Sequence, residues 1–245
     1  MFCEKNNVLF IHIPKTAGST VELLLEPYVG NKTKLISRDK SRYDWDDDIE
    51  LNVSQVGIKH SKHWTVTEHT RNWRFENLDE IKTFTVIRNP YERLLKLFLF
   101  KVQNGEFKPV RGEPGFDEHL TKPRGKHITD AILKNWNHHM FEEFLGMKRD
   151  IKRMGSRTFW SAWKHCELNG KLHLDYIIRY EDFENDLRHA FEQLNMELPI
   201  SVPITNSTLK IDSSSIKNFY SNTARALVEQ HFDKDFEPFG YEKWK

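Results

Sequence analysis

The chain has 245 residues, 38% of them hydrophobic and 30% charged, with 37 Lys and Arg against 36 Asp and Glu. That balance excludes a general polyanion-binding surface and leaves room only for a local basic pocket; no nucleic-acid partner is expected. Two cysteines, Cys3 and Cys166, are too few for a disulfide framework and read as free thiols of a reducing compartment.

The first residues, MFCEKNNVLFIHIPK, are polar and then break at a proline, unlike a signal peptide. The longest apolar segment, LLKLFLF, falls far short of the ~18 residues of a spanning helix. The expectation is a soluble cytoplasmic protein, with a chain trimmed of its membrane anchor as the alternative. Asn31, Asn52 and Asn206 each begin an N-x-S/T triplet and read as chance matches in that setting.

In chain order, residues 8–13 read as a buried strand. Gly18 and Ser19 open a helix, STVELLLEPY, that stops near Pro27. Residues 30–55 are polar and irregular, with the acidic run DWDDDIE as a solvated loop. VGIKH (56–60) reads as a second strand. Thr65 and Glu68 have capping-box spacing. TFTVIR (83–88) is a buried strand followed by the helix NPYERLLKLFLFKV, with Pro90 in its first turn. Residues 104–126 are rich in Gly, Pro and charge and read as a long surface loop.

Helices are expected over 128–148 and 156–167, a strand over 174–180, a helix over EDFENDLRHAFEQLN, and one long closing helix after Ser213. Trp136, Phe159, Trp160 and Trp163 read as core aromatics. The alternation of strands and helices predicts a single α/β domain, 1–245, with a parallel sheet covered on both faces.

HIPKTAGST (12–20) is the most informative stretch. A strand that turns sharply into a helix aims backbone N–H groups and the positive end of the helix dipole at an anion. Gly18 permits close approach, Ser19 and Thr20 add hydroxyls, and Lys15 adds a full charge. The Gly-Lys-Ser/Thr ending of metal-dependent nucleotide loops is missing, so the loop suits one terminal phosphate-like group and its neighbour. Arg88 ends the later strand, where ligands of parallel sheets bind, and a guanidinium there takes a phosphate by two parallel hydrogen bonds. Arg93 reads equally well as a solvated helix residue.

HIPKTAGST together with VIRNPYERLL resembles the sulfotransferases that use 3′-phosphoadenosine 5′-phosphosulfate (PAPS), especially their carbohydrate (heparan/chondroitin-type) branch. DYIIRYEDFENDL and the closing FDKDFEPFGY extend the similarity over most of residues 8 to 241. The resemblance implies a three-layer sandwich with a central parallel sheet, the P-loop-NTPase-like sulfotransferase fold. It implies PAPS as donor, a saccharide or other small alcohol as acceptor, and no metal. By position, Lys15 would meet the oxygen bridging phosphate and sulfate, and Thr16, Ala17, Gly18, Ser19 and Thr20 would line the 5′-phosphate. Arg88 would hold the 3′-phosphate. The serine that the family usually carries eight residues later is Lys96 here, which either meets the phosphate as a point charge or points to solvent. The middle segment, 104–170, matches the family poorly and is where acceptor specificity is expected.

Sulfuryl transfer needs a base for the acceptor hydroxyl and a fixed cation for the departing phosphate. Lys15 suits the second task. His63, two residues before the cap, matches a histidine frequent in the carbohydrate members, and His60 is the runner-up base. Lys62 stands ready to assist with an anion. The pairs His60/His63, His138/His139 and His165/Cys166 have no well-spaced third ligand for zinc. Glu181 and Asp182 match the family's acidic pair, although helix capping explains them equally, and Asn206 matches a loop Asn. Two readings from other classes remain beside the transferase: a metal-dependent P-loop kinase or NTPase, and a nucleotide-binding protein without turnover.

Overall fold

The structure, a computed structural model, describes residues 1–3, 5–28, 61–70, 78–104, 132–134, 136–146, 157–199, 202 and 213–245. The expected strand 56–60, His60, the acidic run, most of the loop 104–126, Asn31, Asn52 and Asn206 lie outside those residues. The chain divides into two compact units: residues 1–87 with 162–205, and residues 88–161 with 206–245.

The first unit is built on a four-stranded sheet in the order β1 (Phe2–Cys3), β2 (Val8–Ile11), β3 (Lys82–Ile87), β6 (Tyr176–Arg179). β2 and β3 run parallel with Phe10 opposite Phe84, and β3 and β6 run parallel with Val86 opposite Ile178. All four residues of β2 and five of the six in β3 are buried, because both faces of these central strands are covered. The sheet is not purely parallel, however: β1 adds an antiparallel edge, Phe2 opposite Leu9. Two residues are too short a strand to betray themselves by period.

Helices α1 (Gly18–Leu25) and α6 (Phe183–Gln193) place Val21, Leu25, Leu187 and Phe191 in one core with Phe10, Phe84, Val86 and Ile178. The capping box forms as expected at the short helix α2 (Val66–Thr70): Thr65 Oγ1 accepts from the Glu68 N–H at 3.1 Å, and Glu68 Oε2 accepts from the Thr65 N–H at 2.9 Å. The helix expected over 156–167 is only α5, Ala162–Cys166, preceded by a 3₁₀ turn over Arg157–Phe159. It gives way to a hairpin, β4 (Glu167–Leu168) and β5 (Lys171–Leu172), turned by Asn169 at φ 52° and Gly170 at φ 78°. Asn-Gly is the preferred pair for that turn, since both central residues need positive φ.

The second unit is organised around α3 (Pro90–Gln103). Asn89 caps it by accepting from the Tyr91 N–H at 3.0 Å, and Pro90 fills the first turn where its missing N–H costs nothing. Phe98 packs against Phe141 and Phe144 of α4 (His138–Gly146), at ring separations of 5.3 and 5.2 Å. Trp136 and Phe159 join this cluster, as expected of core aromatics. The long closing helix is broken. A 3₁₀ stretch over Ser213–Phe219 precedes α7 (Asn222–His231), and 3₁₀ turns over Asp233–Asp235 and Glu237–Phe239 follow it. Ser221 causes the break, because its hydroxyl accepts from the Ala224 N–H at 3.0 Å and starts a new helix.

Candidate active site

β2 delivers the chain into the turn Pro14–Ala17, and α1 begins at Gly18. Lys15 at φ 69° and Ala17 at φ 74° are both left-handed, a conformation that non-glycine residues keep only where surrounding structure imposes it. Thr16 is fully buried and donates its hydroxyl to the Ile13 carbonyl at 2.8 Å, bracing the loop from inside. Thr20 is buried, while Lys15, Ala17 and Ser19 are partly exposed. No side chain caps α1, and its first turn holds no acidic residue. The helix start therefore keeps its positive character toward an incoming anion.

Gly18 has a steric reason that the sequence did not disclose. A Cβ there would sit 2.2 Å from Nε2 of His12, so the glycine makes room for a buried imidazole. His12 was not among the expected site residues, although it opens the motif itself. Its Nδ1 lies 2.6 Å from Glu22 Oε1, and the other carboxylate oxygen holds Lys62 Nζ at 2.9 Å. Lys62 is thus paired within the protein. Burial raises the cost of the Glu22 charge, but the charges and hydrogen bonds of His12 and Lys62 outweigh it and hold the carboxyl below its usual range. His12 goes the other way, since its burial outweighs Glu22 and lowers its pKa. A lone acid in the apolar run TVELLL, four residues after Gly18, was the available signal for Glu22.

His63 closes a 3₁₀ turn over Ser61–His63, immediately ahead of the capping box. Its ring meets the His12 ring edge-on at 4.6 Å, and its Nδ1 is 3.0 Å from the His12 carbonyl oxygen. A carbonyl only accepts, so Nδ1 carries the proton and Nε2 keeps its lone pair. Burial above all, helped by His12, Lys62 and His165, pushes the His63 pKa far down against the pull of that hydrogen bond. The imidazole is neutral at pH 7, the form a base requires.

The second unit carries the other predicted cations. Arg88 lies against Glu92, with Nε and Nη2 each 3.0 Å from Glu92 Oε2. This i,i+4 partner went unremarked in the sequence, although its spacing was visible. Lys96 does not point to solvent; it is 3% exposed. Burial first, then the Arg88 charge, push its pKa down to about 8, with Glu92 opposing. Arg93 is not a solvated helix residue either. It donates to the Trp160 carbonyl at 2.6 Å and lies 3.5 Å from Asp235, both side chains being almost wholly buried. Its role is to tie α3 to the closing segment.

Of the remaining expectations, Glu181 and Asp182 are exposed in a 3₁₀ turn. Asp182 accepts from the Asn185 side chain at 2.8 Å rather than capping α6, and Asp186 accepts from the Arg179 N–H at 2.8 Å. Among the described residues, no group of three or more His, Cys, Asp and Glu is placed to share a metal ion. No helix among them is long and apolar enough to cross a membrane.

Carbohydrate sulfotransferase 10 of Xenopus laevis is 25% identical over 183 residues, covering 69% of this chain. The alignment takes in 49% of that relative, about half its length. No solved structure matches. The model of the sulfotransferase family matches residues 1–242, which takes in both units and every motif described above, and the chain belongs to that family.

Proposed function

We propose that the protein transfers a sulfuryl group from PAPS to an acceptor hydroxyl, that of a saccharide or another small alcohol. The observation that carries this reading is the pairing, within one unit, of a strained lysine-bearing loop at an uncapped helix start with a neutral histidine whose Nδ1 is committed to a carbonyl. One element suits a leaving phosphate and the other an incoming alcohol. The single family match over 1–242 supports treating both units as one sulfotransferase domain, in which the three-layer, P-loop-like arrangement is the expected one. The name of the Xenopus relative supports the saccharide acceptor.

The donor fits the residues present. The start of α1, with the hydroxyl of Ser19 and the backbone from Thr16 to Thr20, would hold the 5′-phosphate. Arg88 and Lys96 would hold the 3′-phosphate, two cations against the single carboxylate of Glu92. When bound, PAPS supplies an SO₃ unit on a good phosphate leaving group. The chain supplies the rest. Lys15 neutralises charge that grows on the departing oxygen, worth ~10²–10³ in rate by comparison with other fixed donors. His63 Nε2 accepts the hydroxyl proton of the acceptor. Burial makes His63 a weak base by itself, but negative charge held by the loop would favour its imidazolium and strengthen it at the moment of transfer. His60 stays second as base.

A kinase would need a lysine after the glycine, where this chain has Ser19 and Thr20. Calorimetric titration with adenosine 3′,5′-bisphosphate, beside ATP with Mg²⁺, tests the donor assignment. Tight binding of the bisphosphate and none of ATP is expected, followed by a screen of saccharide acceptors. Mg²⁺-dependent binding of ATP alone would overturn it.

A further inference from the structure

Beside His63 and the loop, phosphate binding and proton transfer leave His12, Glu22 and Lys62 without a role. His12 is 5% exposed and its Nε2 is closed off by Gly18, so it cannot reach an acceptor. Glu22 has no N–H or O–H to offer a phosphate. What the three do is hold His63 from both sides. Glu22 Oε2 grips Lys62, the residue before His63 in the chain, at 2.9 Å. Glu22 Oε1 grips His12 at 2.6 Å, and the His12 carbonyl takes the Nδ1–H of His63 at 3.0 Å. The carboxylate stands on α1, the helix that begins at the phosphate loop.

We infer that Glu22 is a positioning residue that fixes the ring and tautomer of His63 by bridging His12 and Lys62, and so sets the base relative to the loop that carries Lys15. The inference rests on the reading of His63 as base. A half-exposed ion pair such as Glu22–Lys62 adds little net stability, but the two directed contacts of the carboxylate fix orientation. A carboxylate accepts from both partners at once, whereas an amide at position 22 accepts with one end only and keeps both contacts only by forcing His12 into the tautomer that accepts at Nδ1.

The test is ¹⁵N-histidine NMR of the wild type, Glu22→Gln and Lys62→Met, with the His63 signals assigned through His63→Gln. In the wild type, His63 is expected as the Nδ1–H tautomer without titration down to pH 5. In both variants it should become a tautomer mixture, with its midpoint moved toward the ordinary ~6.5. Adenosine 3′,5′-bisphosphate should bind both within about threefold of the wild type, and kcat in the acceptor assay should fall roughly 10- to 100-fold with little change in KM for the donor.

Unchanged His63 tautomer and midpoint in the two variants would overturn the inference. So would a folded variant whose main loss is bisphosphate affinity, since Glu22 would then be serving the loop. If Glu22→Gln does not fold, Lys62→Met decides alone, its side chain being 42% exposed. Full transfer by His63→Ala would remove the base reading while leaving the tautomer result intact, so the two failures are distinguishable.

Discussion

His12 and Gly18 are packed so closely that a single methyl group on the glycine would overlap the imidazole, 2.2 Å from Nε2. His12 is pinned by Glu22 and cannot swing away without breaking a 2.6 Å contact. Gly18→Ala should therefore destabilise the fold by ~1–3 kcal/mol, the usual cost of overpacking. Adding His12→Ala should recover part of that loss, because the clash partner is gone. Urea denaturation of the two single variants and the double variant checks this, and strict additivity would contradict the steric account.

Lys15 is partly exposed, and alanine in its place has the same left-handed backbone to adopt. Lys15→Ala should leave the thermal midpoint nearly unchanged and lower sulfuryl transfer by ~10²–10³. Lys15→Arg should restore little, since a planar guanidinium does not replace a point charge on one bridging oxygen. Single-turnover rates with saturating donor measure both.

The pKa of Lys96, lowered from 10.5 to about 8, gives a pH signature. In that window the unfolded chain binds the extra proton and the folded chain does not, so stability rises with pH from about 8. An anion bound beside Lys96 would favour its protonated form. Affinity for adenosine 3′,5′-bisphosphate should therefore fall above pH 8, by at most ~10-fold per unit. Lys96→Met should bind the bisphosphate more weakly with a flatter profile, and should be at least as stable at pH 7, since a buried charge is removed. Calorimetry between pH 7 and 9.5 follows the first effect and thermal melting the second.

Acid should loosen the first unit early. Burial lowers the pKa of His12 and of His63, so both are neutral in the fold and charged in the unfolded chain below ~6.5. The unfolded state then binds more protons, and stability falls as pH drops, by up to ~1.4 kcal/mol per unit for each group. Glu22, held low by its partners despite burial, loses its contribution only at more acidic pH, below its ordinary 4.5. Urea midpoints should be flat from pH 7 to 8 and decline from 6.5 to 5. His63→Gln should decline less steeply, and an unchanged slope would count against the buried neutral form.

The elements that carry the site were legible in the sequence because their causes are local. Val8–Ile11 and Lys82–Ile87 are apolar runs of strand length, Pro90 and Asn89 start α3, and Thr65 with Glu68 caps α2 by spacing alone. The turn that presents Lys15 ahead of α1 needed only the order of residues 12–20, one of the motifs behind the family resemblance. Tertiary structure decided what depends on neighbours distant in the chain. β1 is a strand only because β2 offers it an edge.

The charges show the same division. Sequence placed Arg88 at a strand end and left Arg93 and Lys96 open to solvent; packing set Arg88 against Glu92 and Arg93 against Asp235, and buried Lys96. His63 was a plausible base from its type and place. That its Nδ1 is occupied, by a carbonyl 51 residues earlier in the chain, follows only from the fold. A residue's type sets the chemistry it can perform, while burial and partners set its charge, its tautomer and its direction.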